Sequence, residues 1–352
     1  MVNSIKQKRI EYFDLMKGIC IVLVVVCHCY EELGLSVENK HLWSMLEHLR
    51  MPLYFFLSGM FFKEYSCFVD FVIRKTNKLI IPFLFFVIIT VIPKLITGEV
   101  ELGLIPIKKH FTWMIKYGGY LWFLRTLFFA NILYYVVHKY IKYHNIYIRA
   151  CVILVLTLFG WMINHFIPIE GDFRETYMYL TAVITAFLVL PFFFVASNIR
   201  TYLNRLNNVG VLPVLIVLIS SLLLCFLTSN GGVYLKNAKI ENGFIEFYLA
   251  AFSAIIAVWC ICFMIKRMYY FSYIGRYSII VYLTHIPIIH FIVYNGWLTS
   301  LWSLFIVVLA IMPVMIWFFK NCFPAFVAQK EIFEYRNGKL KVDWNVFSLK
   351  NR

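Results

Sequence analysis

The chain has 352 residues, of which 62% are hydrophobic, 19% aromatic and only 14% charged, with a formal net charge of +15 at pH 7. So little charge excludes an ordinary water-soluble globular protein, in which roughly a quarter of the residues are charged. The basic residues are scattered through short polar segments and form no continuous stripe or nucleic-acid-binding module, so nucleic acid is not expected as a partner.

Apolar runs of roughly 17 to 23 residues recur along the chain, the length a helix needs to cross ~30 Å of hydrocarbon. The expected fold is therefore all-α: a polytopic membrane helix bundle with helices near 13–31, 49–63, 79–97, 120–138, 149–167, 177–196, 210–228, 243–265, 273–294 and 297–319. The first run follows a mixed basic and acidic head and continues from Ile19 to Cys29 without a small-residue cleavage site, so it reads as a retained membrane helix. The second is the shortest, with about 12 clearly apolar residues from Met51 to Phe62. Charge supports keeping it. With all ten spans, roughly two thirds of the 33 lysines and arginines fall on the side of the amino terminus, which the positive-inside rule assigns to the cytoplasm. Dropping it would place the basic segments 63–78 and 139–149 on the other side. Both termini are thus expected to be cytoplasmic, in an inner (plasma) membrane.

Segment 105–119, with Lys108, Lys109, His110 and Trp113, is expected to lie flat on the outer surface. Trp113, Tyr117, Tyr120 and Trp122 fit an interfacial aromatic belt. The domain plan is a short cytoplasmic segment (1–12), the membrane domain (13–319) and a basic tail (320–352). The tail, with Lys330, Arg336, Lys339 and Lys341, is expected to associate with anionic headgroups or to be disordered. The nine cysteines have neither disulfide-framework nor zinc-site spacing. Cys27, His28 and Cys29 point ~100° apart on a helix and cannot close on one ion, so no metal is expected.

Titratable groups inside spans are costly and mark candidate sites. On the first helix Lys17 and His28, eleven residues apart, lie within roughly 20° of each other, and His28 stands ~16 Å further along. Two readings are open: Lys17 snorkels beside Asp14 while His28 caps the helix in water, or His28 exchanges a proton near neutral pH. Glu32, one turn beyond His28, either orients the ring or contacts water. Arg50 precedes Pro52, which can begin a helix, so its charge is expected at the outer surface at the depth of His28. Ser58 and Gly59 suit close helix approach. Arg125, about one turn inside the fourth span, needs an acidic partner, a cavity or a bound anion. His285 is placed ~16 Å along the ninth helix from Tyr273 and Ile274, near mid-membrane, as an interhelical hydrogen-bonding or substrate-binding group.

These residues resemble the membrane acyltransferase-3 family of sugar and polysaccharide O-acyltransferases, over roughly residues 9–320. Arg9-Ile10-Glu11-Tyr12-Phe13-Asp14-Leu15-Met16-Lys17-Gly18-Ile19 followed by His28 is similar to the family's opening segment, in which a basic residue precedes a histidine by ten intervening positions. Lys17 stands where arginine is commoner, which keeps the charge and loses bidentate anion binding. Arg50-Met51-Pro52 through Ser58-Gly59 resembles the second motif, Leu121-Trp122-Phe123-Leu124 the third, and Ile274-Gly275-Arg276 through Thr284-His285 the fourth. Lys75-Thr76-Asn77-Lys78 is similar to the paired basic residues that start the family's third helix.

The resemblance implies an integral membrane O-acyltransferase that moves an acetyl or other short acyl group from acyl-CoA, a cosubstrate rather than a bound cofactor, to a hydroxyl of a cell-surface or lipid-linked glycan. His28 and Glu32 are then the catalytic candidates. Lys17, Arg50, Arg125 and His285 are the substrate-binding ones, and Arg74, Lys75 and Lys78 are placed to hold CoA phosphates. Positive-charge orientation of the helix serves Arg74 equally well. Some relatives carry a fused extracytoplasmic hydrolase-like domain. This chain ends some 30 residues after its last predicted span, so transfer is expected at the membrane domain or on a separate protein. A glycan flippase or small-molecule permease is the alternative, although no related halves with interrupted helices appear. A non-catalytic sensing or assembly subunit is a third reading.

Overall fold

The computed structural model describes residues 10–166, 180–206, 209–336 and 338–343. Among these, eight helices are long and apolar enough to cross a membrane, or nine if one bent pair counts as a single span. The elements are α1 (Glu11–Glu32), α2 (Lys40–Met60), α3 (Phe68–Ile96), α4 (Leu104–Tyr117), α5 (Trp122–Ile141), α6 (Ile146–Phe166) and α7 (Thr181–Tyr202). They continue with α8 (Val211–Thr228), α9 (Phe244–Ile265), α10 (Tyr269–Arg276), α11 (Ser278–Tyr294) and α12 (Leu301–Cys322). The all-α polytopic bundle follows from composition, because helices satisfy every backbone group internally where water is absent. The expected starts and ends at 167 and 177–179 lie outside the described residues.

The second helix corrects the sequence reading. It begins at Lys40 rather than Leu49, and Pro52 sits in its interior rather than in its first turn. Asn39 Oδ1 caps it by accepting from Leu42 N at 3.0 Å. Its first half carries Lys40, His41, Glu47, His48 and Arg50, too polar to count as a span on composition. Glu47 and His48 are buried against protein, as is Ser44. Ser44 Oγ donates to Gly231 O at 2.6 Å, and Glu47 accepts from Val233 N and Trp43 Nε1, each at 2.9 Å. The partner segment contains two short antiparallel strands, β1 (Val233–Tyr234) and β2 (Lys239–Ile240).

α3 begins eleven residues earlier than expected and passes through a π-type turn at Thr76–Ile80, so Arg74, Lys75 and Lys78 lie on helix. At this turn Asn77, 1% exposed, receives the carboxyl-terminal segment. Its Nδ2 donates to Phe333 O at 2.7 Å, and its Oδ1 accepts from Ile332 N and Phe333 N, both at 3.0 Å. That segment is an antiparallel hairpin, β3 (Phe333–Arg336) with β4 (Lys339–Val342). Ala325 and Ile332 form a small apolar cluster with Ile81, Phe333 and Val342 beneath it. The tail as far as Asp343 is therefore folded onto α3 rather than disordered, because one buried amide satisfies three of its backbone groups.

α1 is the most enclosed span, with Phe13, Leu15, Met16, Cys20, Ile21 and Val25 in the core. It meets α10 backbone to backbone. A Cβ on Gly18 would overlap the Phe271 carbonyl, and one on Gly275 would overlap the Asp14 carbonyl. Such close approach is how membrane helices gain packing energy without a hydrophobic driving force. Gly59 of α2 packs in the same way against the Phe193 backbone of α7, the close approach expected of it. α10 and α11 then meet at 90°. Gly275→Ala is expected to lower the melting temperature of the detergent-solubilised protein, because the overpacking costs about 1–3 kcal/mol or more. An unchanged melting curve would show that α1 and α10 can separate freely.

Candidate active site

At the end of the bundle that carries the amino terminus, a cavity of about 450 Å³ is lined by Lys17, Lys63, Lys75 and Lys78. Its deeper wall includes Tyr54, Ser58, Phe123, Leu124, Ser278 and Tyr282. Residues from the opening segment and from the second, third and fourth motif segments thus surround one space. Lys17 Nζ lies 4.5 Å from the Phe61 ring centroid and Lys75 Nζ 5.3 Å from that of Phe71, so aromatic faces support two of the ammonium groups. Tyr54 Oη donates to Lys17 O at 3.2 Å, and Tyr282 Oη to Tyr120 O at 2.7 Å, which fixes both phenols in the wall.

Tyr282 leads to the histidines. Its ring centroid is 6.1 Å from that of His285, which is 5.3 Å from that of His28. His285 is fully buried, and its Nδ1 donates to Val281 O at 2.9 Å. A carbonyl can only accept, so the neutral ring keeps its lone pair on Nε2, which is buried without a hydrogen-bond partner among the described residues. His28 is half-buried, and its Nδ1 lies 2.9 Å from Glu31 Oε2. An ionised carboxylate also only accepts, so His28 Nε2 is the basic nitrogen.

Glu31, not Glu32, therefore orients His28. Glu32 instead takes His290 Nδ1 at 2.5 Å, while His290 Nε2 meets Glu99 Oε1 at 2.5 Å. Glu31 sits at i+3 and Glu32 at i+4 from His28, both within reach on a helix. Only the position of His290 on α11 separates them.

The other predicted residues divide. Lys17, Lys75 and Lys78 face the cavity. Arg50 lies in the interior of α2, with its carbonyl accepting from Cys20 Sγ at 2.9 Å, so it is deeper than the surface position expected. Its guanidinium lies 5.3 Å from the Trp43 ring centroid, and its charge acts on Glu31 and Glu47. Arg125 Nη1 donates to Ile115 O at 2.8 Å and to Lys116 O at 2.9 Å. It caps the carboxyl end of α4, a use of the guanidinium different from the acidic partner, cavity or anion anticipated. Arg74 pairs with Asp70 at 2.9 Å and Glu331 at 3.1 Å. His285 sits about ten ångströms along α11 by helical rise, because the break at Tyr277 interrupts the straight helix assumed from sequence. Lys63, Glu31 and His290 were not singled out from the sequence, and Tyr54 stood there only within the second motif segment; of the first three, only Glu31, at i+3 from His28, carried a usable signal.

A bundle of membrane-length helices enclosing a basic cavity and a pair of adjacent histidines, one buried and one half-buried, defines a multi-pass membrane protein with an internal polar site. The family model described as an acyltransferase domain matches residues 10–320, nearly the whole chain, and the chain belongs to that acyltransferase 3 family. It is accordingly a membrane acyltransferase. No curated protein and no solved structure is similar enough to count as a match.

The bridge from Glu32 through His290 to Glu99 ties α1, α11 and the loop after α3 together. Burial works against ionisation of Glu99, but hydrogen bonds from His290 and Thr97 and the charges of His290 and Lys94 hold its carboxyl below the usual range. His110 faces the same group from α4. A carboxyl whose folded pKa is depressed contributes stability above its unfolded value, about 4.3, and loses it as pH falls through the folded value. Wild type is expected to melt above Glu99→Gln at pH 7, with the gap closing below about pH 4.3. A gap independent of pH would disconnect the Glu99 charge from stability.

Proposed function

We propose that this protein is an O-acyltransferase that moves a short acyl group, acetyl in the simplest case, from acyl-CoA to a hydroxyl of a cell-surface or lipid-linked glycan. The observation that carries this reading is that Tyr282, in the wall of the four-lysine cavity, stands beside His285, which stands beside His28. Several ammonium groups around one cavity suit the phosphates of CoA, which lysine binds as a point charge. The positive-inside rule puts this end in the cytoplasm, where the donor is made, and His28 with Glu31 lies toward the opposite end.

In the transfer, His28 Nε2 takes the hydroxyl proton as the acceptor oxygen bonds to the thioester carbonyl carbon. The C–S bond then breaks, and the imidazolium returns the proton to the departing thiolate, leaving an ester and free CoA. Glu31 holds the ring and offsets its positive charge. His285 Nε2 is available to accept a hydrogen bond from a substrate donor, and Arg50 grips the acceptor near Trp43 and Glu47. Positioning of two substrates from opposite faces converts a bimolecular reaction into one within a single complex.

Purified protein supplied with labelled acetyl-CoA and a surface-glycan acceptor is expected to transfer label. His28→Ala should slow transfer by about 10²- to 10⁴-fold while leaving the melting temperature close to wild type. Undiminished O-acylation by this variant, read by mass spectrometry of the glycan, removes the assignment. Lys75→Ala and Lys78→Ala should raise the KM for acyl-CoA with little change in kcat, as expected when ground-state and transition-state binding are lost equally.

A further inference from the structure

The segment that leads into the carboxyl-terminal hairpin reaches a residue lining the lysine cavity through one side chain. Glu331 Oε2 lies 3.1 Å from Arg74 Nη1, and its Oε1 lies 3.8 Å from Lys78 Nζ. Lys78 lines the cavity, as does Tyr65, whose ring centroid is 4.9 Å from the Arg74 guanidinium. The acid therefore pairs with one lining residue, Lys78, and with Arg74, which stands against a second, Tyr65.

Glu331 is not what holds the hairpin down. Asn77 makes three hydrogen bonds to the backbone of Ile332 and Phe333, and the apolar cluster around Ala325 and Ile332 packs beneath. Arg74 already has a carboxylate partner in Asp70. The side chains of Arg74, Lys78 and Glu331 are 35%, 46% and 26% exposed, and ion pairs this wet contribute little to folding. The same pairs matter more for an incoming anion, which must compete with Glu331 for Arg74 and Lys78.

We infer that Glu331 is a resident counter-ion of the cavity, a positioning residue that the phosphates of a polyanionic donor displace from Arg74 and Lys78. The inference rests on the donor reading above. While the site is vacant, Glu331 keeps Arg74 and Lys78 in place and masks part of their charge. On donor binding the carboxylate gives way as the hairpin backbone stays anchored on Asn77. A donor must therefore bring enough negative charge to replace it, which selects phosphorylated thioesters over uncharged ones.

The test is calorimetric titration of CoA into the full chain in detergent micelles. Glu331→Gln is expected to bind CoA about threefold to tenfold more tightly than wild type, and Glu331→Asp to remain close to wild type. In turnover the same Gln variant should lower the KM for acetyl-CoA and leave kcat unchanged. Acetyl-pantetheine, which carries no phosphate, should be used equally by both proteins. Glu331→Ser serves in place of the Gln variant if that protein does not accumulate folded. Equal CoA affinity in wild type and the carboxylate-free variants overturns the inference and leaves the donor reading intact. A gain for acetyl-pantetheine as large as for CoA also overturns it, because it reports loosening rather than charge. No CoA binding by any of the proteins overturns the donor reading itself.

Discussion

The contact between Gly18 and Gly275 governs where the rest of the site can lie. Neither residue has a Cβ, and any side chain at either position would strike the backbone of the opposite helix. α1 and α10 therefore approach as closely as two helices can, and the 90° turn into α11 starts from a fixed point. Seven residues into α11, the His285 ring arrives beside that of His28. Looser packing of α1 against α10 would move one imidazole away from the other.

Charge inside the bundle is handled by a small number of local devices. Arg50 is offset by Glu31 and Glu47, Arg125 is spent on helix-end carbonyls, and His290 bridges two carboxylates. Each gives a polar or charged group a partner in place of lipid, which would penalise an unpartnered charge by several kcal/mol. The lysines at the amino-terminal end are arranged differently, around a cavity, with Lys17 and Lys75 against aromatic faces and Lys78 3.8 Å from Glu331. Excess positive charge gathered around a space, and not along a surface, suits a multiply charged small molecule.

The two ends of α2 illustrate how local pattern misleads. Its second half, Met51 to Met60, reads as a membrane segment because its residues are apolar. Its first half reads as a loop because Lys40, Glu47 and Arg50 interrupt the apolar pattern. The helix nevertheless spans both, since Ser44 and Glu47 bond to Gly231 and Val233 nearly two hundred residues away. The same limit applies at α3, where polar residues before Leu79 are helical because the hairpin and the π-type turn cover them.

By itself the sequence determined the solvent and the cast: apolar runs of membrane length require a helical bundle, and costly titratable groups within them single out Lys17, His28, Arg50, Arg125 and His285. These conclusions depend on composition and on spacing along one helix, both of which are local. Which of those groups meet was decided only in three dimensions. Glu31 rather than Glu32 holds His28 because His290 claims the neighbour. Arg125 closes a helix end because α4 turns back at Gly118, whose φ of 75° is left-handed. Lys63 lines the cavity, and Glu331 pairs with Arg74 and Lys78, from segments with no motif to announce them. The physical reason is common to all of these: a hydrogen bond or ion pair is a matter of a few ångströms between atoms, and residues distant in sequence acquire that separation only from the packing of the backbones that carry them.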